Sequence, residues 1–564
     1  MLVSARRSLV RARSRGRAAT VALVLLTGCV GVVGETATDY QSPNDDAPRS
    51  GHDAGRDSGR DASGSGRAVG PDAKGDDVED DDAPDLSVVS PRTDGPMAVD
   101  AGSGTCAKTQ QEPLALGLHI REIALYQTVK VSLFNGRSWV TDRNAPVVQG
   151  KKSLVRVFVD TLAGYKAHNV RGVLTLENDG KPTELVDQRS LSASSTDAAL
   201  SSTFSFQVAP ELLTPTTQLS VSLQELSCTD SAGAPADARF PESGQQALAA
   251  TAINKLDVVI VPVRVDGRVP VTTDAELANM RAALLAFYPV PDVKVSVRTP
   301  LDWTTPIEAL DGSSWSNLLN QIMRERRTDA PGSDVYYFGL VQPAATFRSY
   351  CLRGCVLGLA PQTTSIMPTA QVALGASFAD AQTYETMVHE LGHAHGRGHA
   401  PCVENGEIDG VDAKYPDPTG ATGAWGWDSR TNMLQPPSNK DIMGYCEPNW
   451  ISPYNYAGLA ARSLQVNEKS LRVGSDESWQ HVLLYADHTA RWGGAVETRM
   501  PSGNVEQASA LDAAGRQIAQ VDVVRIPLSH SGDEFLYIPE AQQGWVALQL
   551  SDQKLVLSSI KPAL

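Results

Sequence analysis

The sequence predicts a multidomain protein in which a central α/β (α+β) domain is flanked by β-sandwich domains, and three observations lead there. Short β-rich runs separated by turn residues fill 106–250, alternating strand and helix patterns fill 251–460, and β-like runs return over 461–564. A leader (1–29) and an acidic Gly/Ser/Asp/Pro-rich linker (30–105) precede them. A chain of 564 residues is long enough to bury a core in each of several domains. Its 65 Asp+Glu against 49 Lys+Arg leave a formal charge of −16, which argues against nucleic acid as a partner because phosphates demand a basic surface.

The leader carries Arg6, Arg7, Arg11, Arg13, Arg15 and Arg17 ahead of an apolar stretch at 18–26. That stretch is about half a membrane span, so it reads as an export signal rather than a transmembrane helix. It ends in Leu26-Thr27-Gly28-Cys29, which resembles a bacterial lipobox and marks Cys29 for lipidation. The expected location is therefore a bacterial cell envelope, with the protein held at the outer membrane or cell surface through its N-terminal lipid and otherwise monomeric. Residues 35–105 hold seventeen acidic and six basic side chains and no apolar periodicity, a composition that cannot offset chain entropy and reads as a solvated tether. Its run at 76–82 lacks the spacing of a calcium loop. The acidic, glycine-rich loop at 404–426, with Asp409-Gly410 and Asp412, lacks it too, so Ca²⁺ has no support as a cofactor.

With Cys29 assigned to lipid, Cys106, Cys228, Cys351, Cys355, Cys402 and Cys446 remain, an even number in an exported protein. Six cysteines allow fifteen pairings. Order along the chain and shared domains favour 106–228, 351–355 and 402–446.

Runs at 154–159, 172–176, 203–208 and 219–223 read as strands of the first sandwich, where His119 and His168 stand alone. Beyond 255 the apolar run 256–265 predicts a buried strand, and Thr273-x-x-Glu276 a capping box opening a helix to Tyr288. Strands at 293–297 and 335–341 bracket a helix at 314–326, and two more strands are expected at 356–360 and 371–376. A helix follows over 381–395, capped by Asp380, with Tyr384, Met387, Val388 and Leu391 on its buried face.

That helix contains His389-Glu390-Leu391-Gly392-His393. Residues four apart share one helical face, so two imidazoles reach a single Zn²⁺ while Glu390 projects beside it. The pattern continues to Gly396 and His399, where a glycine in left-handed conformation ends the helix and returns His399 as a third nitrogen ligand. Three protein ligands leave one zinc position open, the mark of a catalytic site. His395 lies off the ligand spacing and reads as a surface residue or a neighbour of the ligands.

The string His389-Glu390-x-x-His393-x-x-Gly396-x-x-His399, followed by Asp441-Ile442-Met443-Gly444-Tyr445-Cys446, resembles the metzincin metallopeptidases, with their downstream Met-containing turn. The resemblance spans roughly 255–455 and departs from astacins and serralysins, since Ala400-Pro401-Cys402 stands where they place an acidic residue. It implies a metzincin-like zinc metalloendopeptidase with Glu390 as general base, Met443 as an apolar floor beneath the ligands, and an edge strand at 356–360 that pairs with an extended protein or glycoprotein substrate. Tyr445 matches a tyrosine that coordinates zinc or binds the oxyanion in some members, although a Tyr near a Met is also an ordinary core pair. A 402–446 disulfide would tie the third-ligand loop to the Met turn. Beyond 461 strands are expected at 482–485, 521–526 and 545–550, while His481, His488 and His530 lack paired spacing, so this segment reads as a small sandwich serving as scaffold or binding module. The rival readings are an exported binding or adhesion protein with a structural or inactive zinc site, and a cell-wall amide hydrolase.

Overall fold

The computed structural model describes residues 113–226, 236–363, 370–403, 408–469, 477–498, 501 and 503–560. The leader, Cys29, the linker, Cys106 and Cys228 lie outside the described residues.

Two antiparallel sheets form the N-terminal region. The strands expected there appear as Ser153–Thr161, Asn169–Asn178, Phe204–Val208 and Gln218–Glu225. The longest strand, Leu118–Phe134, pairs with Ser153–Thr161 and continues the same sheet towards Gly426–Asp428 and Met433–Gln435, a hairpin contributed by the chain far downstream. The sheets meet closely at Gly172, where a Cβ would lie 2.6 Å from the Phe204 ring. Their core runs on without a break into the helix Asp274–Phe287 and the histidine-bearing helix Ala381–Ala394, through Leu284, Phe287, Met387 and Leu391.

In the central region Leu256–Arg264 is an inner strand of a sheet whose order is Val293–Val297, Leu256–Arg264, Val335–Val341, Val372–Ala376, Gly358–Leu359. The first four run parallel and Gly358–Leu359 closes the edge antiparallel. This is the α/β order expected from the alternating apolar runs, with helices Asp274–Phe287 and Gly312–Asp329 between the strands. Thr273 caps the first helix by accepting from the Glu276 amide at 3.4 Å. Glu276 accepts a hydrogen bond from the Tyr384 hydroxyl at 2.9 Å, which ties that helix to the histidine-bearing one.

The helix Pro453–Lys469 runs across the expected boundary at 460 before strands resume at Glu477. From there the chain forms one seven-stranded antiparallel sheet rather than a two-sheet sandwich. Alternation sorts its side chains: Val482, Val523, Leu536 and Ile538 fill the sheet's own core, while Leu483, Val524, Phe535 and Tyr537 point the other way. That second face shares a core with Trp315, Leu318 and Ile322 of Gly312–Asp329 and with Val356 and Leu359 at the central sheet's edge. A fully buried Val, Leu, Ile or Phe contributes about 1.5–3 kcal/mol. Leu483, Val524, Ile526, Leu528 and Phe535 together thus hold this sheet in place by something on the order of 10 kcal/mol.

Candidate metal centre

Asp380 accepts from the Thr383 amide at 3.0 Å and starts the helix Ala381–Ala394, which is buried along its whole second half. His389 and His393 lie on one face of it. The helix ends in paired hydrogen bonds, Gly396 N to His393 O at 2.7 Å and Arg397 N to Gly392 O at 3.0 Å, with Gly396 at φ +82°. A side chain at that φ is strained, which is why this position calls for glycine. The turn then brings His399 back, held by hydrogen bonds to Gly410 and from Asp412.

The three imidazoles converge. His393 Nε2 lies 3.0 Å from the Nε2 of both His389 and His399. Each ring turns its Nδ1 to a main-chain carbonyl: His389 to Ile442 O at 2.7 Å, His393 to Arg397 O at 2.7 Å, and His399 to Asp409 O. A carbonyl only accepts, so each Nδ1 carries the proton and each Nε2 presents a lone pair. Three lone pairs facing one another in a buried pocket repel unless a cation lies between them, and neutral imidazoles with outward Nδ1–H anchors are the donor set zinc takes. Burial depresses all three pKa values, that of His389 to about 4, so the rings are neutral at physiological pH. The residues present fit the metal that the spacing calls for.

The turn at 441–446 supports this geometry. Asp441, fully buried, accepts from the Met443 amide at 2.8 Å and the Ser452 amide at 2.9 Å, which tightens the turn that presents the Ile442 carbonyl to His389. Met443 packs under the ligand helix: a Cβ on Gly392 would come within 2.5 Å of its sulfur. Two of the three expected disulfides are present, Cys351–Cys355 and Cys402–Cys446. The second links the loop after His399 to the end of the turn at 441–446. Asp412 gives its carboxylate to Tyr454 Oη at 2.7 Å and to Arg397 at 3.5 Å.

Glu390 is buried beside the ligands, so close to the edge strand that a Cβ on Gly358 would collide with its carboxylate. Tyr445 places its hydroxyl 3.1 Å from His399 Nε2, and burial, with Glu390 adding to it, raises its pKa well above 10, so it keeps its proton. A cleft of about 140 Å³ opens between Val356, Leu357 and Gly358 on one side and His389, Gly444 and Tyr445 on the other.

Two residues here escape a reading of local spacing. His530, from the turn between strands Gln517–Pro527 and Glu534–Pro539 of the C-terminal sheet, enters the site. Its Nδ1 is hydrogen-bonded to the Tyr445 hydroxyl, its Nε2 lies 3.0 Å from Glu390 Oε1, and its ligand atom falls within 4.8 Å of those of the other three histidines. Ser529 donates to Glu390 Oε2 at 3.1 Å. A lone histidine in a polar turn carries no local signal; only the docking of the sheet reveals it. His395 corrects the sequence reading in the other direction. It is 3% exposed and stacked on Tyr336 at 4.2 Å between centroids, a core residue rather than a surface one.

A converging set of neutral imidazoles with a buried carboxylate defines the class of zinc hydrolases. Residues 369–449 match the Peptidase M66 family, a zinc metallopeptidase family, and the match supports a metallopeptidase, a hydrolase acting on peptide bonds. No curated protein matches the chain. One matching solved structure, of a chaperone-substrate complex, is 11% identical over 48% of this chain and 39% of its own, with a TM-score of 0.22, too low for any likeness of fold to be drawn.

Proposed function

We propose that the protein is a metzincin-like zinc peptidase of the bacterial envelope, acting on extracellular or surface proteins, with His389, His393 and His399 as the zinc ligands. The observation that carries this reading is the convergence of their three unprotonated Nε2 atoms beside a buried Glu390. Both nitrogens of His530 are turned to Tyr445 and Glu390, which favours three ligands over four. A bound zinc supplies Lewis acidity and an activated water. Glu390 takes a proton from the attacking water as its oxygen bonds to the scissile carbonyl carbon, then delivers that proton to the amide nitrogen as the C–N bond breaks. Tyr445, held protonated, donates a hydrogen bond to the oxyanion that forms on the carbonyl oxygen. Met443 beneath Gly392 and the 402–446 disulfide keep the ligand face from shifting. The N-terminal lipid on Cys29 anchors the enzyme to the membrane.

The test is direct. Purified protein should bind one zinc per chain and hydrolyse a mixed peptide library; a chelator should stop hydrolysis and zinc restore it. A protein that holds zinc and hydrolyses no peptide would instead favour the adhesion reading, and one that cleaves only peptidoglycan would favour the cell-wall amidase.

A further inference from the structure

An antiparallel edge strand exposes the main-chain groups of every second residue. Leu357 O accepts from Ala376 N at 2.7 Å, so Leu357 and Leu359 bond inwards while Val356, Gly358 and Ala360 turn outwards, along the line an extended substrate would take. The chain itself bonds to that line at both ends, yet the cleft still takes in Cys355 and Val356 at the first and no residue of 359–362 at the second. Val356 N donates to Ala309 O at 2.7 Å. At the other end 527–529 pairs antiparallel with 360–362: Ser529 N donates to Ala360 O at 2.9 Å, Ala360 N to Ser529 Oγ at 2.8 Å, and Gln362 N to Pro527 O at 2.9 Å. Between them lies Gly358, lining the cleft against Glu390.

The direction of the covering segment is informative. From 527 to 529 it runs from Gln362 towards Ala360, and His530 then stands at Glu390 and Tyr445. A substrate laid on the edge in the same sense would have its amino-terminal side where 527–530 already lies, and its carboxyl-terminal side in the open cleft. The segment belongs to a sheet that shares a core with the central region, so it is a fixed wall rather than a removable strap.

We propose that this wall makes the cleft one-ended, so that the enzyme, on the zinc-peptidase reading above, cleaves within about two residues of the amino terminus of a peptide, the reach from Gly358 to Ala360, rather than in the middle of an extended chain. Peptides with a free amino end are its substrate class.

Nested peptides that share one scissile sequence, lengthened residue by residue at either end, test this with the zinc-loaded full chain. The expected result is release of one- or two-residue amino-terminal pieces from every peptide, with carboxyl-terminal extension tolerated. Cleavage at the shared internal bond whatever the amino-terminal length, or trimming from the carboxyl end, would overturn the proposal and leave the peptidase reading intact; hydrolysis of no peptide would overturn both. Binding gives a second readout. In the Glu390→Ala protein, lengthening the amino end should leave peptide affinity unchanged, and a gain of about tenfold or more would show that the edge beyond Ala360 is open.

Discussion

The two β regions that flank the central sheet look alike in composition and behave differently. The N-terminal sheets support the ligand helix from below: their core is continuous with Met387 and Leu391, and no residue of theirs reaches the metal centre among the described residues. The C-terminal sheet packs on the opposite side and sends a turn into the site, where Ser529 and His530 meet Glu390 and Tyr445. Equal burial thus hides unequal roles, one region acting through stability and the other through chemistry.

The largest expected effect lies in the element common to both. Glu390→Ala should lower kcat by about 10²–10⁴-fold, the usual contribution of a general base, with zinc content by elemental analysis unchanged; wild-type turnover in that variant would remove Glu390 from the mechanism. In the N-terminal region Phe204→Ala should lower unfolding free energy by about 3–5 kcal/mol, read from denaturant melts, while kcat of the folded fraction stays put. A fall in kcat there would erase the distinction drawn between the two regions. Cys402→Ser should cost about 2–5 kcal/mol of stability and speed zinc loss to a chelator, because the loop after His399 and the turn at 441–446 are no longer joined. Ser529→Ala should have the smallest effect on stability yet lower kcat about tenfold, since it removes the hydrogen bond to the Glu390 carboxylate together with the one Ser529 Oγ accepts from Ala360 N. Unchanged kcat would reduce the C-terminal sheet to a scaffold after all.

What the sequence made legible is what a helix or tight turn encodes locally. Ligands at 389 and 393 follow from the helical repeat, His399 from the left-handed Gly396, and the central strands from apolar runs bounded by turns. The 402–446 link follows from the order of cysteines. What stayed hidden depends on pairing between residues far apart. Ser529 and His530 meet Glu390 across 139 and 140 positions, and the hairpin 426–435 joins a sheet begun three hundred residues earlier. Of the two readings of His395, the surface one fails because a residue off the ligand spacing at a helix end is ordinarily wet, whereas this one is packed against Tyr288 and Tyr336.

The hairpin from Gly426 to Gln435 has a consequence for how this enzyme is divided. Between His399 and the turn at 441–446 the chain leaves the candidate metal centre, adds two strands to the N-terminal sheet, buries Trp427 to 1% exposure and returns. A fragment cut at 251–460 would carry those strands with no sheet to join, exposing an unpaired edge and a large indole, the makings of an aggregating product. The peptidase is therefore not a cassette that recombination or cloning can lift out on its own: whatever inherits the histidines must inherit the strand Leu118–Phe134 with them.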